Sequence, residues 1–270
     1  MAGDWIDAYY GPLYLESVED LLTPALSAIE AEVIATLLAL GPAHRVVDLG
    51  CGHGRHAIPL AGRVGAMVGI DRSGAYLRKA AGASTSTSTS TTTSTTTSTT
   101  AISRIPMYVR GDVRALPFPD ATFDAAFSWY ASLFMFDDAT NEACLAEAGR
   151  VIRPGGRLLV HHANPARLAA EPVATARRAL ANGSVVEERS SWDAARGVDR
   201  SARRLVRPGG AVLAADSELR YYMPSEWRRL AARARLRLAL VTSTTDAARE
   251  PRREPAAEAP DLIALLEKPT

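Results

Sequence analysis

The sequence predicts an α/β fold organised around a doubly wound, mostly parallel sheet. Three observations carry the prediction. Short apolar runs alternate with helix-length segments between Arg45 and His162, which implies parallel crossovers. The first run, Arg45-Val46-Val47-Asp48-Leu49, leads into Gly50-Cys51-Gly52-His53-Gly54, a bend that favours residues without a Cβ. The second, Val68-Gly69-Ile70, ends in Asp71, about 20 residues beyond the glycines.

Taken in order, residues 21–40 read as one or two helices. Leu22, Leu26, Ile29, Val33, Leu37 and Leu38 recur at helical spacing, and Gly41-Pro42 stops the run. Core strands are expected at 45–49, 67–71, 107–110, 123–128 and 157–162. Three further strands, 185–192, 198–206 and 211–222, are separated by turn chemistry at Asp193-Ala194-Ala195-Arg196-Gly197 and Arg207-Pro208-Gly209-Gly210. Pro224-Ser225-Glu226-Trp227 starts a helix. Residues 236–241 and 262–267 then form an antiparallel pair that closes the sheet. The expected division is an N-terminal helical lid over 1–40 and a core over 41–165. An antiparallel β insert over 183–223 and a closing helix and strand pair over 224–270 complete it. Residues 84–100 are serine and threonine only, with nothing apolar to bury, and are expected to form a disordered surface loop. Residues 247–260 read as an exposed loop.

Composition narrows the classes. With 270 residues and 47% hydrophobic content, the chain can bury a large core. A net charge of +1 gives no global field for nucleic acid or anionic lipid. Two cysteines, Cys51 and Cys144, are too few for a disulfide framework or a zinc site and suit a reducing cytoplasm. The longest apolar run, 33–40, cannot span a bilayer, and Asp4 and Asp7 around Trp5 do not fit a signal peptide. Abundant Ala and Arg with little Lys points to a GC-rich bacterial genome.

A strand that turns through glycines into a helix presents backbone N–H groups and a helix dipole to a ligand. An acid at the tip of the next strand is placed to accept both hydroxyls of a ribose. The pair therefore binds a nucleoside-bearing cofactor. NAD is the competing ligand, but the glycines are spaced G-x-G-x-G, and Arg55 stands where a third dinucleotide-type glycine belongs. Asp48 would repel a pyrophosphate and suits a cofactor carrying an ammonium group.

Across residues 46–164 the chain resembles the class I S-adenosylmethionine-dependent methyltransferases. The resemblance rests on V-V-D-L-G-C-G-H-G, on V-G-I-D-R-S, on Arg110-Gly111-Asp112-Val113-Arg114-Ala115-Leu116-Pro117-Phe118 and on Val151-Ile152-Arg153-Pro154-Gly155-Gly156-Arg157-Leu158. It is nearest to bacterial small-molecule enzymes with an extra β segment before the last helix. It implies a seven-stranded Rossmann-like sheet with S-adenosyl-L-methionine as cofactor. The methionine end would lie against Asp48, Gly50, Gly52 and Gly54, and the ribose against Asp71 beside Arg72. Asp112 and Val113 would meet the adenine, with Ser128 ending the fourth strand at the methyl-transfer point. Tyr9, Tyr10, Tyr14, Trp129 and His161 are the candidate acceptor contacts, with Trp5, Phe134 and Phe136 nearby. Tyr130 and His162 are the candidate catalytic groups. Adjacent strand residues face opposite sides, so at most one of His161 and His162 points into the site.

The segment Ser128-Trp129-Tyr130-Ala131 has neither the N/D-P-P-Y motif of amino methyltransferases nor a cysteine–proline nucleophile. Asp137 and Asp138 read as the start of a helix. The expected reaction is therefore metal-independent O- or N-methylation of a small molecule, with no nucleic-acid or membrane partner. Two alternatives stay open. Arg228, Arg229, Arg233, Arg235 and Arg237 could serve a methyltransferase of protein or nucleic acid, and the fold could hold NAD. Nothing in the sequence sets an oligomeric state.

Overall fold

The computed structural model describes residues 4–89, 104–130, 132–247 and 255–270. Three N-terminal helices, α1 (Asp4–Tyr9), α2 (Pro12–Val18) and α3 (Pro24–Leu37), precede the sheet. Thr23 caps α3 by accepting from the Leu26 N–H at 3.1 Å, with Pro24 in the first turn. The core then alternates β1 (Arg45–Leu49), α4 (Ala57–Ala61), β2 (Ala66–Asp71), α5 (Gly74–Thr89), β3 (Met107–Arg110), β4 (Phe123–Ser128), α6 (Asp138–Val151) and β5 (Ile152–Ala163). Asp137 caps α6 through the Thr140 N–H at 2.8 Å, as its position suggested.

After α7 (Pro165–Ala170) come the insert strands β6 (Val173–Ala179), β7 (Val185–Asp193), β8 (Val198–Val206) and β9 (Val212–Arg220). The chain ends with α8 (Pro224–Arg233), β10 (Arg237–Thr242), α9 (Thr244–Ala247) and β11 (Asp261–Glu267).

The main sheet has seven strands in the order β10-β11-β5-β4-β1-β2-β3. The winding reverses beside β1, and β11 is antiparallel to both β5 and β10. In β1, Val46 and Val47 are both fully buried on opposite faces. Val46 joins Ala125, Phe127 and Leu159 under α3 and α4, whereas Val47 joins Leu158, Leu145 and Trp227 under α6 and α8. The sheet is therefore covered on both sides, as a parallel sheet requires. Among the described residues no helix is long and apolar enough to cross a membrane.

Three expectations change. Residues 84–89 are not loop but the last part of α5, and Ser84 is buried, bonded to the Ala80 carbonyl at 2.8 Å and the Tyr108 hydroxyl at 3.0 Å. A serine that turns its hydroxyl back onto the helix needs no apolar partner to stay helical. The rest of the Ser/Thr tract lies outside the described residues, as do residues 248–254 of the expected 247–260 loop. The insert begins at Val173, with four strands rather than three. The missed strand β6 is an edge strand that is almost wholly exposed, so it carries no apolar alternation. Its backbone pairing with β7 alone defines it. In α3, Ile29 is 58% exposed, and Glu30 is turned inward instead.

Candidate active site

A cavity of about 820 Å³ opens at the carboxyl ends of β1, β2 and β4, beside the point where the winding reverses. Its floor is the glycine bend. Gly50, Gly52 and Gly54 all have positive φ, yet they do different jobs. A Cβ on Gly50 would stand 2.4 Å from the Ser132 Cβ, so this glycine lets the 129–136 loop lie on the bend. One on Gly54 would strike the Tyr108 hydroxyl at 2.5 Å, so Gly54 serves packing and does not line the cavity. Only at Gly52 would a Cβ meet almost nothing, the nearest atom being Tyr76 Cδ2 at 4.0 Å. That is where backbone faces open space.

Four of the five amides from Gly50 to Gly54 are already engaged. Gly50 and Cys51 donate to the Ile70 carbonyl at 2.8 and 3.0 Å, Gly54 to the Cys51 carbonyl at 3.0 Å, and Gly52 to Asp71 Oδ2 at 2.8 Å. Since α4 is a five-residue helix, its dipole is small. The expected cradle of unpaired N–H groups is thus replaced by carboxylates.

Asp71 is held rigidly, with Oδ1 accepting from the Ser73 N–H at 2.8 Å. Asp48 is 2% exposed, and its Oδ2 has no partner among the described residues. Burial, and then the neighbouring Asp71 charge, raise the Asp48 pKa well above the usual carboxylate range. A desolvated, orphaned carboxyl of this kind is satisfied by a cation.

Asp112 also lines the cavity, but Arg114 grips both its oxygens, at 3.0 and 2.6 Å. Those bonds hold Asp112 below its ordinary pKa. Arg72 reaches across to Asp7 on α1 at 2.9 Å, and the Tyr76 hydroxyl donates to the Gly11 carbonyl at 3.2 Å. These two contacts tie the N-terminal helices over the cavity, where Ile6, Tyr10 and Tyr14 form part of its wall.

The opposite wall is a buried polar cluster built on Glu30. Its Oε2 accepts from His56 Nε2 at 3.0 Å and pairs with Arg55. Its Oε1 accepts from the Tyr130 hydroxyl at 2.7 Å and from Trp129 Nε1 at 3.3 Å. Burial would raise the Glu30 pKa, but the hydrogen bonds from His56 and Tyr130 and the Arg55 cation outweigh it and hold the group at about 2. Tyr130 has φ +59°, which costs energy for a bulky residue. The conformation is held by its N–H donating to His161 Nδ1 at 3.2 Å.

His161 lies flat under Trp129, 4.2 Å between ring centres, and its Nε2–H is directed at Asp261 at 3.2 Å. Both ring nitrogens are thus committed, and neither faces the cavity.

Of the residues the sequence singled out, the structure gathers Asp48, Gly50, Gly52, Asp71, Arg72, Asp112, Val113, Tyr10, Tyr14, Trp129 and Tyr130 around one cavity. Others fall outside it. Ser128 is fully buried, and its hydroxyl has no partner among the described residues. Tyr9 faces away, its hydroxyl 3.3 Å from Glu188 and its ring under Arg203. His162 stacks between Tyr221 and Trp227 in the interior, where burial lowers its pKa to about 3, so it cannot reach a substrate. Phe134 belongs to the core, whereas Phe136 lines the cavity. Sequence reasoning missed Glu30, because one acid in an amphipathic helix reads as a solvated charge. It also missed Arg55 as a wall residue, although its place after the third glycine was a signal.

Residues 46–156 match a family model described as a methyltransferase domain. The chain is 32% identical over 152 residues to a 2-phytyl-1,4-naphtoquinone methyltransferase of Synechococcus elongatus, covering 55% of this chain and 58% of that protein. It therefore spans little more than half the length of that relative. Among solved structures, the CcbJ methyltransferase from Streptomyces caelestis superposes with TM-score 0.72 at 22% identity, over 100% of this chain and 98% of that one. An S-adenosylmethionine-dependent methyltransferase from Clostridium acetobutylicum gives TM-score 0.70 at 12% identity, over 89% and 91% of the two chains. The fold is thus the Rossmann-like fold of class I methyltransferases.

Proposed function

We propose that the chain transfers a methyl group from S-adenosylmethionine to a small-molecule acceptor, at nitrogen or oxygen. The observation that carries this reading is the orphaned, buried Asp48 carboxyl beside a rigidly held Asp71 on the neighbouring strand tip. A dinucleotide would bring its pyrophosphate to two acids and to amides that are already engaged. A cation-bearing nucleoside meets the reverse situation.

S-adenosylmethionine supplies, when bound, an electrophilic methyl group on a sulfonium. Asp71 would hold the ribose and Asp48 the ammonium end, with backbone at Gly52 allowing close approach. Val113 and Asp112 would border the adenine. Since Arg114 occupies one face of Asp112, only its remaining lone pairs can serve a base amine.

Holding the acceptor in line and excluding water can supply on the order of 7–11 kcal/mol of the barrier. The aromatic wall of Tyr10, Tyr14, Trp129 and Phe136 suits an apolar or aromatic acceptor. The naphthoquinone acceptor in the name of the Synechococcus relative supports that class. A macromolecular acceptor is less well supported, because Arg233 is paired with Glu142 and Arg237 with Glu267. Two buried free cysteines fit a reducing, cytoplasmic setting.

Thermal-shift measurements with S-adenosylhomocysteine and with NAD test the reading. A raised midpoint with the first alone is expected. Labelled methyl transfer from S-adenosylmethionine to naphthoquinols and amino sugars then identifies the acceptor class. Stabilisation by NAD alone would overturn the proposal.

A further inference from the structure

Glu30 is 3% exposed and does not line the cavity, yet four donors from two separate segments converge on it. A buried carboxylate is costly unless its neighbours need it there. All four donors line the cavity, and Tyr130, at 39% exposed, is the most open of them. We propose that Glu30 is a positioning residue: it takes the only proton of the Tyr130 hydroxyl, so that this hydroxyl can act only as a hydrogen-bond acceptor toward the cavity. The acceptor class is thereby restricted to molecules whose nucleophilic atom carries a hydrogen, namely amines and hydroxyl compounds. This inference rests on the methyl-transfer reading.

The geometry supports it from two sides. A tyrosine hydroxyl has one donor and two lone pairs, and at 2.7 Å from a permanently ionised carboxylate the donor is committed. Rotation of the ring is opposed as well. The Tyr130 backbone is pinned to His161, and the Arg55 guanidinium stands 5.0 Å from the ring centre while itself pairing with Glu30.

The same cluster bears on proton removal. Glu30, held near pKa 2, is a poor proton acceptor, and burial pushes the Tyr130 hydroxyl up, so it is no phenolate at neutral pH. An amine attacks as the neutral base and loses its proton afterwards to water. A hydroxyl acceptor keeps its proton while bound and loses it to water as the new bond forms.

The test uses the full chain saturated with S-adenosylhomocysteine and compares 1-naphthol with 1-methoxynaphthalene by calorimetry. The pair shares its aromatic surface and differs in the O–H donor. The unsubstituted protein is expected to bind the naphthol at least fivefold more tightly. Tyr130→Phe, which leaves the Glu30 cluster in place, should bring the ratio to about 1. Glu30→Leu should lower it at least threefold, because the hydroxyl, left without its acceptor, can donate to the ether. In both variants S-adenosylhomocysteine affinity should stay within twofold, which a general loss of structure would not allow. Equal binding of the two probes by the unsubstituted protein, or an unchanged ratio in Glu30→Leu, overturns the inference. If S-adenosylhomocysteine fails to bind but the ratio holds in the free protein, the cofactor reading fails and the Glu30 assignment stands.

Discussion

On both faces of the main sheet, side chains such as Phe127, Leu145 and Leu158 have no exposed surface and sit among apolar neighbours. The roof built from α1, α2 and the β6–β9 sheet is joined differently. Its apolar clusters are small, Leu13 with Val186 and Leu205, and Leu219 with Tyr221. Charges make up the difference. Arg203 pairs with Glu188 at 2.9 Å, Arg207 with Glu16 at 2.6 Å, and Lys79 with Glu19 at 2.8 Å. The Arg207–Glu16 and Lys79–Glu19 pairs are part-exposed, add little and are screened by salt, whereas Arg203 is buried. The main sheet is therefore fixed by close packing, while ion pairs take a larger share in joining the elements over the cavity.

The largest effect that tests this contrast is in the core. Phe127→Ala should lower unfolding free energy by about 3–5 kcal/mol in denaturant titrations, because close packing around β4 leaves a void that cannot collapse. Next comes the floor. Asp71→Ala should weaken S-adenosylhomocysteine binding by about 1.5–3 kcal/mol, the scale of hydrogen bonds to a charged group. Calorimetry showing unchanged affinity would remove Asp71 from the site. The roof should respond least in stability: Arg207→Gln is expected to leave the denaturant midpoint nearly unchanged, since its pair with Glu16 is solvent-screened. A loss as large as that of Phe127→Ala would erase the distinction between the two regions.

The same contrast explains what could be read from the residues alone. Val46-Val47, Phe123–Ser128 and the glycine bend announce themselves because a strand covered on both faces must be apolar and its exit must lack Cβ atoms. All five core strands and the closing antiparallel pair were legible for that reason, and so were Asp48, Asp71 and Asp112 at the strand ends. Strand β6 was not, since an edge strand held by backbone bonds needs no pattern. Nor was the loss of the free amides: whether Gly52 donates to a ligand or to Asp71 depends on a separation across two strands that sequence does not encode. Glu30 was hidden for a related reason. It is 26 residues from His56 and 100 from Tyr130, so its partners exist only after folding.

The smallest expected effect concerns His162, which the sequence put at the site and the structure puts in the interior. Its Nδ1–H donates to the Ala163 carbonyl at 2.7 Å, leaving Nε2 buried without a partner. His162→Phe keeps the stack between Tyr221 and Trp227 and removes that orphan, at the loss of one hydrogen bond worth about 1 kcal/mol. Turnover at pH 7.5 should stay within about threefold, whereas loss of a general base would cost roughly 100-fold or more. The variant's acid response is also defined. Burial depresses the His162 pKa to about 3, against about 6.5 in an unfolded chain. Its contribution to stability is complete above pH 6.5. It is lost as pH falls from there toward 3, because the unfolded chain takes up a proton that the folded chain refuses. Phenylalanine takes up none, so stability of the variant should fall less steeply across that window. Part of the slope should persist, since burial also holds His53 and His56 at about 4. An unchanged acid slope would mean that His162 is reached by water, and the roof–core boundary would have to be drawn on the other side of Tyr221.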